Sequence, residues 1–292
     1  MEHSSTDTPQ VCAAAAINIV AWVLAAWQLQ RLKAGTPVAI HAVRVRLLWL
    51  AAIYVLGCGF RSVFPMLDVP RICLHDNWIS RIIIGRSVAT LAELSFAAQL
   101  ALLLRVASVA PGGGIAVVAS RLVVPFVLLA ELFCWTAVLR ENYLMHAFEN
   151  SLWTLMAVLA SAAFLALRLR AVDQRRRFFG LAIACATGYV AYMGFVDVPM
   201  YVSRWHTDLA THHQYLSLSA GFAEILQRCT VMREWSAWRH DVPWLSLYFT
   251  IAVWISIALV HAPIGAASRV TNSDGRGNGK RRTAPARGAG LG

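Results

Sequence analysis

Residues 115–139 decide the fold class of this chain, and they read IAVVASRLVVPFVLLAELFCWTAVL. The stretch carries only Arg121 and Glu131 as charged residues. A helix of this length rises roughly 37 Å at 1.5 Å per residue, which exceeds the roughly 30 Å of hydrocarbon in a bilayer. A helix on the surface of a soluble protein needs a polar face, and this one has none. The stretch therefore predicts a transmembrane helix.

Six further apolar blocks of similar length lie on either side of this stretch. The chain has 292 residues, of which 58% are hydrophobic and 14% charged, so it is far more apolar than an ordinary soluble domain. We therefore predict an all-α, polytopic membrane helix bundle with about seven transmembrane helices. The predicted spans are 11–32, 44–64, 78–105, 115–139, 146–168, 178–202 and 243–262.

The basic residues predict the orientation. A net charge of +11 alone would suggest a nucleic-acid partner, but most lysines and arginines fall in alternate connections and in the C-terminal tail. Cytoplasmic loops carry the excess of basic residues in membrane proteins. We therefore predict an outer N-terminal tail (1–10), a seven-helix domain (11–267) and a disordered, basic cytoplasmic tail (268–292). A plasma or inner membrane is favoured over an organelle, and no nucleic-acid partner is expected.

The outer loop 203–242 carries a helical pattern of its own. Its apolar residues recur every three or four positions, which predicts an amphipathic helix along the interface or over the mouth of the bundle. The stripe consists of Tyr215, Leu218, Phe222, Ile225, Cys229, Met232, Trp235 and Trp238. Cys229 could form a disulfide with Cys73 of another outer loop, but two unrelated free thiols are favoured.

Ionisable residues inside the spans carry the strongest functional signal, because charge in hydrocarbon is costly unless it faces a partner or an aqueous cavity. Arg86 and Glu93 share one helical face, and so do His146 and Glu149. With the outer-loop residues, these groups predict a polar cavity in the outer half of the bundle. The alternative is that pairs such as Arg86–Glu93 or Arg61–Asp197 only neutralise one another and fix helix packing.

The candidate site residues fall into two groups. Glu93, Glu149 and Asp197 are the candidate catalytic residues, because a carboxylate in a low-dielectric site suits proton transfer. The second group consists of arginines able to hold an anionic group and of neighbouring polar side chains. These candidate substrate-binding residues are Arg61, Arg71, Arg86, His75, Asp76, His146 and Arg204.

No metal and no other cofactor is expected. His146 and Glu149, completed by His75 and Asp76, match no strong metal-site signature. Lys33 and Lys280 are the only lysines, so no lysine is available in the last span for a retinal Schiff base.

These observations favour an intramembrane enzyme that applies acid–base chemistry to a lipid or isoprenoid-like substrate, such as a cyclase, isomerase or hydrolase. The expected partner is a membrane lipid or an amphipathic small molecule. One alternative is a transporter or channel for a small solute or ion, which Glu93 and Glu131 near mid-depth would suit. The other is a membrane receptor or assembly subunit.

Overall fold

The computed structural model describes residues 7–108, 114–227, 229–241 and 245–264. The predicted cytoplasmic tail 268–292 and residues 1–6 of the predicted outer tail lie outside this range. Residues 7–10, predicted as tail, already belong to the first helix. The described chain is all-α apart from three two-residue strands.

Six helices are long and apolar enough to cross a membrane, which fits a multi-pass membrane protein. Helix α6 is continuous through a π-helical turn at Met193–Asp197. The six are α1 (Asp7–Arg31), α2 (Val38–Val63), α3 (Ile82–Ala107), α4 (Gly114–Arg140), α5 (Tyr143–Arg168) and α6 (Asp173–Ala210). Two 3-10 turns, Lys33–Gly35 and Trp78–Ser80, lie in the connections before α2 and α3.

The predicted seventh span contains a shorter apolar helix, Leu247–Val260, which is numbered α9 below and begins with a π-helical turn at Leu247–Ile251. At 1.5 Å per residue it rises roughly 21 Å, less than the roughly 30 Å of a hydrocarbon core. Six spans are therefore supported by length and composition, while the seventh rests on this shorter helix.

Consecutive helices pack against each other from α1 to α6, while α9 packs on α1, α2 and α3. The α4–α5 contact is the most extensive. On its buried side α4 presents alanines, valines and a cysteine three and four apart, and the alanines let helix backbones approach closely. These residues are Ala116, Ala119, Val123, Val127, Ala130, Cys134 and Ala137. Helix α6 packs chiefly against α5, so its other side is left for the cavity described below.

A small cap closes one end of the bundle, and we define it as the described residues of 65–81 and 211–241. Its sheet has the order β1 (Met66–Leu67), β2 (Ile72–Cys73) and β3 (Thr230–Val231). Strand β2 pairs antiparallel with β1 and parallel with β3. Cys73 and Cys229 are joined by a disulfide, so the expectation of two free thiols was wrong.

The loop 203–242 does not form one amphipathic helix, which corrects the prediction from its apolar stripe. Residues 203–210 continue α6, and they are followed by α7 (Leu218–Ile225), β3 and the short α8 (Trp235–Trp238). Helix α7 buries Gly221 and Ile225 on one face, whereas Phe222 is exposed. The physical reason for the break is that pairing of β3 with β2 and the disulfide hold the chain extended after α7.

Candidate functional site

A cavity of about 660 Å³ lies beneath the cap, between α3 and α9 on one side and α5 and α6 on the other. Its volume falls in the range of sites that hold small organic ligands. The wall is polar at the cap end and apolar elsewhere. The polar end includes Arg61, Asp68, Arg86, Glu93, His146, Glu149 and Asn150, and the apolar wall includes Phe96, Trp153, Phe164, Phe178, Tyr189 and Leu259.

Arg86 is the centre of a buried ion-pair network at the polar end. Its Nη2 donates to Glu93 Oε2 at 2.9 Å and to Glu131 Oε2 at 3.0 Å. Its Nη1 lies 3.6 Å from a carboxylate oxygen of Asp68. Thr90 Oγ1 donates to Glu131 at 2.6 Å, which holds that carboxylate in place. One guanidinium thus serves three carboxylates that are all shielded from solvent.

Two π-helical turns contribute to the polar end. In the first turn, Asp197 accepts a hydrogen bond of 2.6 Å from Asn150 Nδ2. In the second, the Tyr248 hydroxyl lies 3.3 Å from Glu93 Oε1 and donates to it. A π-helical turn inserts an extra residue into a helix and often occurs at functional sites, because it redirects side chains. Both turns direct a polar group toward the buried charges.

A second polar cluster sits beside the Arg86 network. His146 Nδ1 lies 2.7 Å from Glu149 Oε2, on one face of α5. Cys134 of α4 approaches the same pair, and one ligand atom from each of the three residues lies within 4.8 Å of the others. All three side chains are buried, and the His146 ring packs on Tyr201 with centroids 5.1 Å apart. A histidine–carboxylate pair of this kind can transfer a proton or orient a metal ligand.

Two arginines lie at the edge of the cavity. Arg61 donates to the backbone carbonyl of Met66 at 2.9 Å and lies 3.8 Å from Asp68. Arg204 lies 3.2 Å from Asp241, a residue of the cavity wall. Arg61 therefore pairs with Asp68, and not with Asp197 as the packing alternative proposed, whereas the Arg86–Glu93 pair is present.

Three residues predicted to bind substrate lie in the cap, outside the cavity wall. Arg71 donates to the backbone carbonyl of Val138 at 2.8 Å and pairs with Glu224 and Glu141. It therefore fastens the cap to the end of α4. The His75 ring packs against Phe64, and Asp76 is exposed. The structure gives these three residues no contact with the cavity, and their predicted role has no support from geometry.

The other predicted site residues come together. Glu93, Glu149, Arg61, Arg86 and His146 line the cavity, and Asp197 reaches its wall through Asn150. The residues that the site assignment missed include Asp68, Glu131, Cys134, Asn150 and Tyr248. Glu131 and Cys134 lie three residues apart on one face of α4, and this spacing is the sequence pattern that could have placed both in the site. Tyr248 carries no comparable signal.

The geometry thus joins a charged pocket to an apolar cavity wall. No protein-family model, no curated protein and no solved structure matches this chain.

Proposed function

We propose that this chain is a seven-pass membrane enzyme that holds a lipid or isoprenoid-like molecule in its cavity and acts on the polar part of that molecule by acid–base chemistry. One observation carries the proposal: a single cavity has buried ionisable groups at one end and aromatic and aliphatic side chains along the rest. An amphipathic molecule has the same division, and each part of it would meet a matching wall.

Two independent features support the proposed orientation. The cap carries the Cys73–Cys229 disulfide, which forms and persists on the oxidising side of a membrane. At the opposite end of the bundle, the turn between α5 and α6 and the adjoining helix ends carry five arginines: Arg168, Arg170, Arg175, Arg176 and Arg177. Both features favour a cap outside and a cytoplasmic opposite end. With α9 as the seventh pass, the N-terminus lies outside and the C-terminus in the cytoplasm of a plasma or inner membrane.

The apolar wall suits a hydrocarbon chain that enters from the bilayer. Helix α6 packs chiefly on α5, and the cavity separates it from α9. Leu181 of α6 lines the cavity and is 67% exposed, so the cavity opens to the side of the bundle between α6 and α9. In a membrane that side faces lipid tails. A substrate would therefore enter sideways, with its polar group moving toward the cap.

Glu93, Glu149 and Asp197 are the proposed proton donors and acceptors. Each is buried, and each keeps a hydrogen bond to a neighbouring polar side chain. In a water-poor pocket, a carboxylate at hydrogen-bond distance from the reacting atom can give or take its proton. Arg61 and Arg204 at the edge of the cavity would attract an anionic head group.

The shape of the cavity argues against a solute pathway. A transporter or channel needs polar groups that continue from one side of the membrane to the other. Here the wall away from the cap consists of side chains such as Phe164, Phe178 and Leu259. Transport is therefore the second candidate, supported only by the depth of Glu93 and Glu131.

The test is to replace Glu93, Glu149 and Asp197 separately with the neutral amide. Glu234→Gln, an exposed acid in the cap, is the matched control. Each variant is purified in detergent and reconstituted into vesicles of native lipid extract, and its unfolding, lipid composition and solute uptake are measured. We expect lost conversion of a lipid species with retained folding for at least one site variant, and no change for Glu234→Gln. Unchanged lipids for all three variants would refute the enzyme, and lost uptake would favour the transporter.

A further inference from the structure

The cluster of Cys134, His146 and Glu149 has the composition of a transition-metal site. Thiolate, imidazole and carboxylate are the side chains that bind zinc and related divalent ions. One ligand atom from each residue lies within 4.8 Å of the other two, and all three residues are buried. Ligand atoms around a tetrahedral ion lie roughly 3–4 Å apart, since each is about 2.0–2.3 Å from the ion. Small side-chain rotations would therefore bring the three to one ion.

The backbone fixes the three residues before any ligand arrives. Helices α4 and α5 are joined by a tight turn in which Glu141 has a φ of 54°. The Asn142 side chain caps α5 by accepting from the backbone amide of Leu144 at 2.9 Å. Residues three apart on a helix share a face, so this start of α5 places His146 and Glu149 on one side of the helix. The close α4–α5 contact then brings Cys134 to them.

The charge balance of the pocket favours a cation at this place. The buried acids outnumber the buried arginines, and Arg86 and Arg61 are engaged by Asp68, Glu93 and Glu131. Within the described part of the chain, the structure records no lysine or arginine within 4.0 Å of Glu149 or Asp197. Buried carboxylates are stabilised by a proton, by a cationic side chain or by a metal ion. A metal ion would bind the Glu149 carboxylate together with the Cys134 thiol and the His146 imidazole.

We propose that Cys134, His146 and Glu149 bind a divalent transition-metal ion of the zinc type at the polar end of the cavity. His146 and Glu149 belong to the cavity wall, so a fourth coordination position would face the cavity. Three protein ligands and one open position are the arrangement of catalytic zinc sites. The role of the ion would be to polarise the polar group of the substrate, and this role rests on the proposed enzyme function. Glu149 is then a metal ligand, and proton transfer is left to Glu93 and Asp197.

Metal content tests this site without any substrate. The full chain is purified in detergent, stripped with a chelator, incubated with Zn²⁺, desalted and analysed by elemental mass spectrometry. Cys134→Ser is compared with Cys185→Ser, which removes another cavity-wall thiol that lies outside the cluster. We expect about one Zn²⁺ per chain for the wild type and Cys185→Ser, and most of it lost in Cys134→Ser.

Cobalt gives the second measurement. Co²⁺ in place of Zn²⁺ should show a sulfur-to-cobalt charge-transfer band in the wild type and Cys185→Ser, and none in Cys134→Ser. Absence of retained zinc in the wild type, or equal zinc and equal bands in the two variants, overturns the site. If Cys134→Ser does not give a folded, monodisperse protein, His146→Gln is measured in the same way for zinc. A chain that binds zinc but converts no lipid refutes the proposed enzyme and leaves the metal site standing. Lipid conversion by zinc-free protein refutes the proposed role of the metal in the reaction and leaves the enzyme standing.

Discussion

Replacement of Arg86 with glutamine is the most direct test of the buried network. The substitution removes the one positive charge shared by Glu93, Glu131 and Asp68, whose oxygens lie 2.9, 3.0 and 3.6 Å from the guanidinium. Loss of one partner from a buried ion pair costs about 3–5 kcal/mol, because the other charge stays buried without compensation. Since three carboxylates lose a partner here, we expect the upper end, about 5 kcal/mol.

The matched control is Arg105→Gln, at the other end of the same helix, where the arginine is exposed. An exposed charge contributes within about 0.5 kcal/mol. Thermal unfolding of both variants in the same detergent should therefore differ strongly. For a chain of this size, about 5 kcal/mol corresponds to a fall in Tm of about 10–20 °C.

A double variant separates the ion pair from other effects of the arginine. Glu131→Gln in the Arg86→Gln background removes one of the carboxylates left without a partner, so it should recover part of the lost stability. Glu131→Gln alone should destabilise the protein. A coupling energy of about 1 kcal/mol or more between the two sites is expected for residues in direct contact. Equal unfolding of Arg86→Gln and Arg105→Gln, or additive effects in the double variant, would refute the network.

Three further predictions concern the cap and the apolar wall. Gly221→Ala should destabilise the protein, because the added methyl group would overlap the backbone carbonyl of Leu139 in α4. Gly188 has open space around it, so Gly188→Ala should change Tm little, and thermal unfolding measures both variants. Cys73→Ser should cost about 2–4 kcal/mol, because it opens a disulfide that spans 156 residues, and it should change mobility on non-reducing gels. Ala182→Trp should fill part of the cavity beside the apolar wall and reduce the amount of co-purified lipid measured by mass spectrometry. Ala184 is exposed outside the cavity wall, so Ala184→Trp should leave the amount of lipid unchanged.

The long helices could be predicted from the sequence because apolar composition is a local property. The six long helices overlap the first six predicted spans, although α6 extends from Asp173 to Ala210 and thus well beyond 178–202. The shared face of Arg86 and Glu93 was predictable for the same reason, since the helical period depends only on spacing. Local patterns thus account for the long helices and for the Arg86–Glu93 pair of the charge network.

The rest of the site depends on contacts between distant segments. Cys134 joins His146 only because α4 and α5 pack in one particular register, which no spacing in the sequence reveals. Strand β3 pairs with Ile72 across more than half of the chain, and this pairing ends the helix expected in 203–242. The π-helical turn that directs Tyr248 to Glu93 has no signature of its own. Register, long-range pairing and helix irregularity are therefore what sequence patterns failed to predict.

The polar end of the cavity divides into two parts with different roles. In the Arg86 network each carboxylate has a guanidinium within 3.6 Å, so each acid has a cationic partner inside the protein and contributes to packing. Around Glu149 and Asp197 the described partners are a histidine and an amide. Both groups supply hydrogen bonds, and neither is a lysine or an arginine. Functional sites are commonly where a protein tolerates such destabilising arrangements. The part without a guanidinium, on α5 and the first π-helical turn, is therefore where a ligand has most to offer.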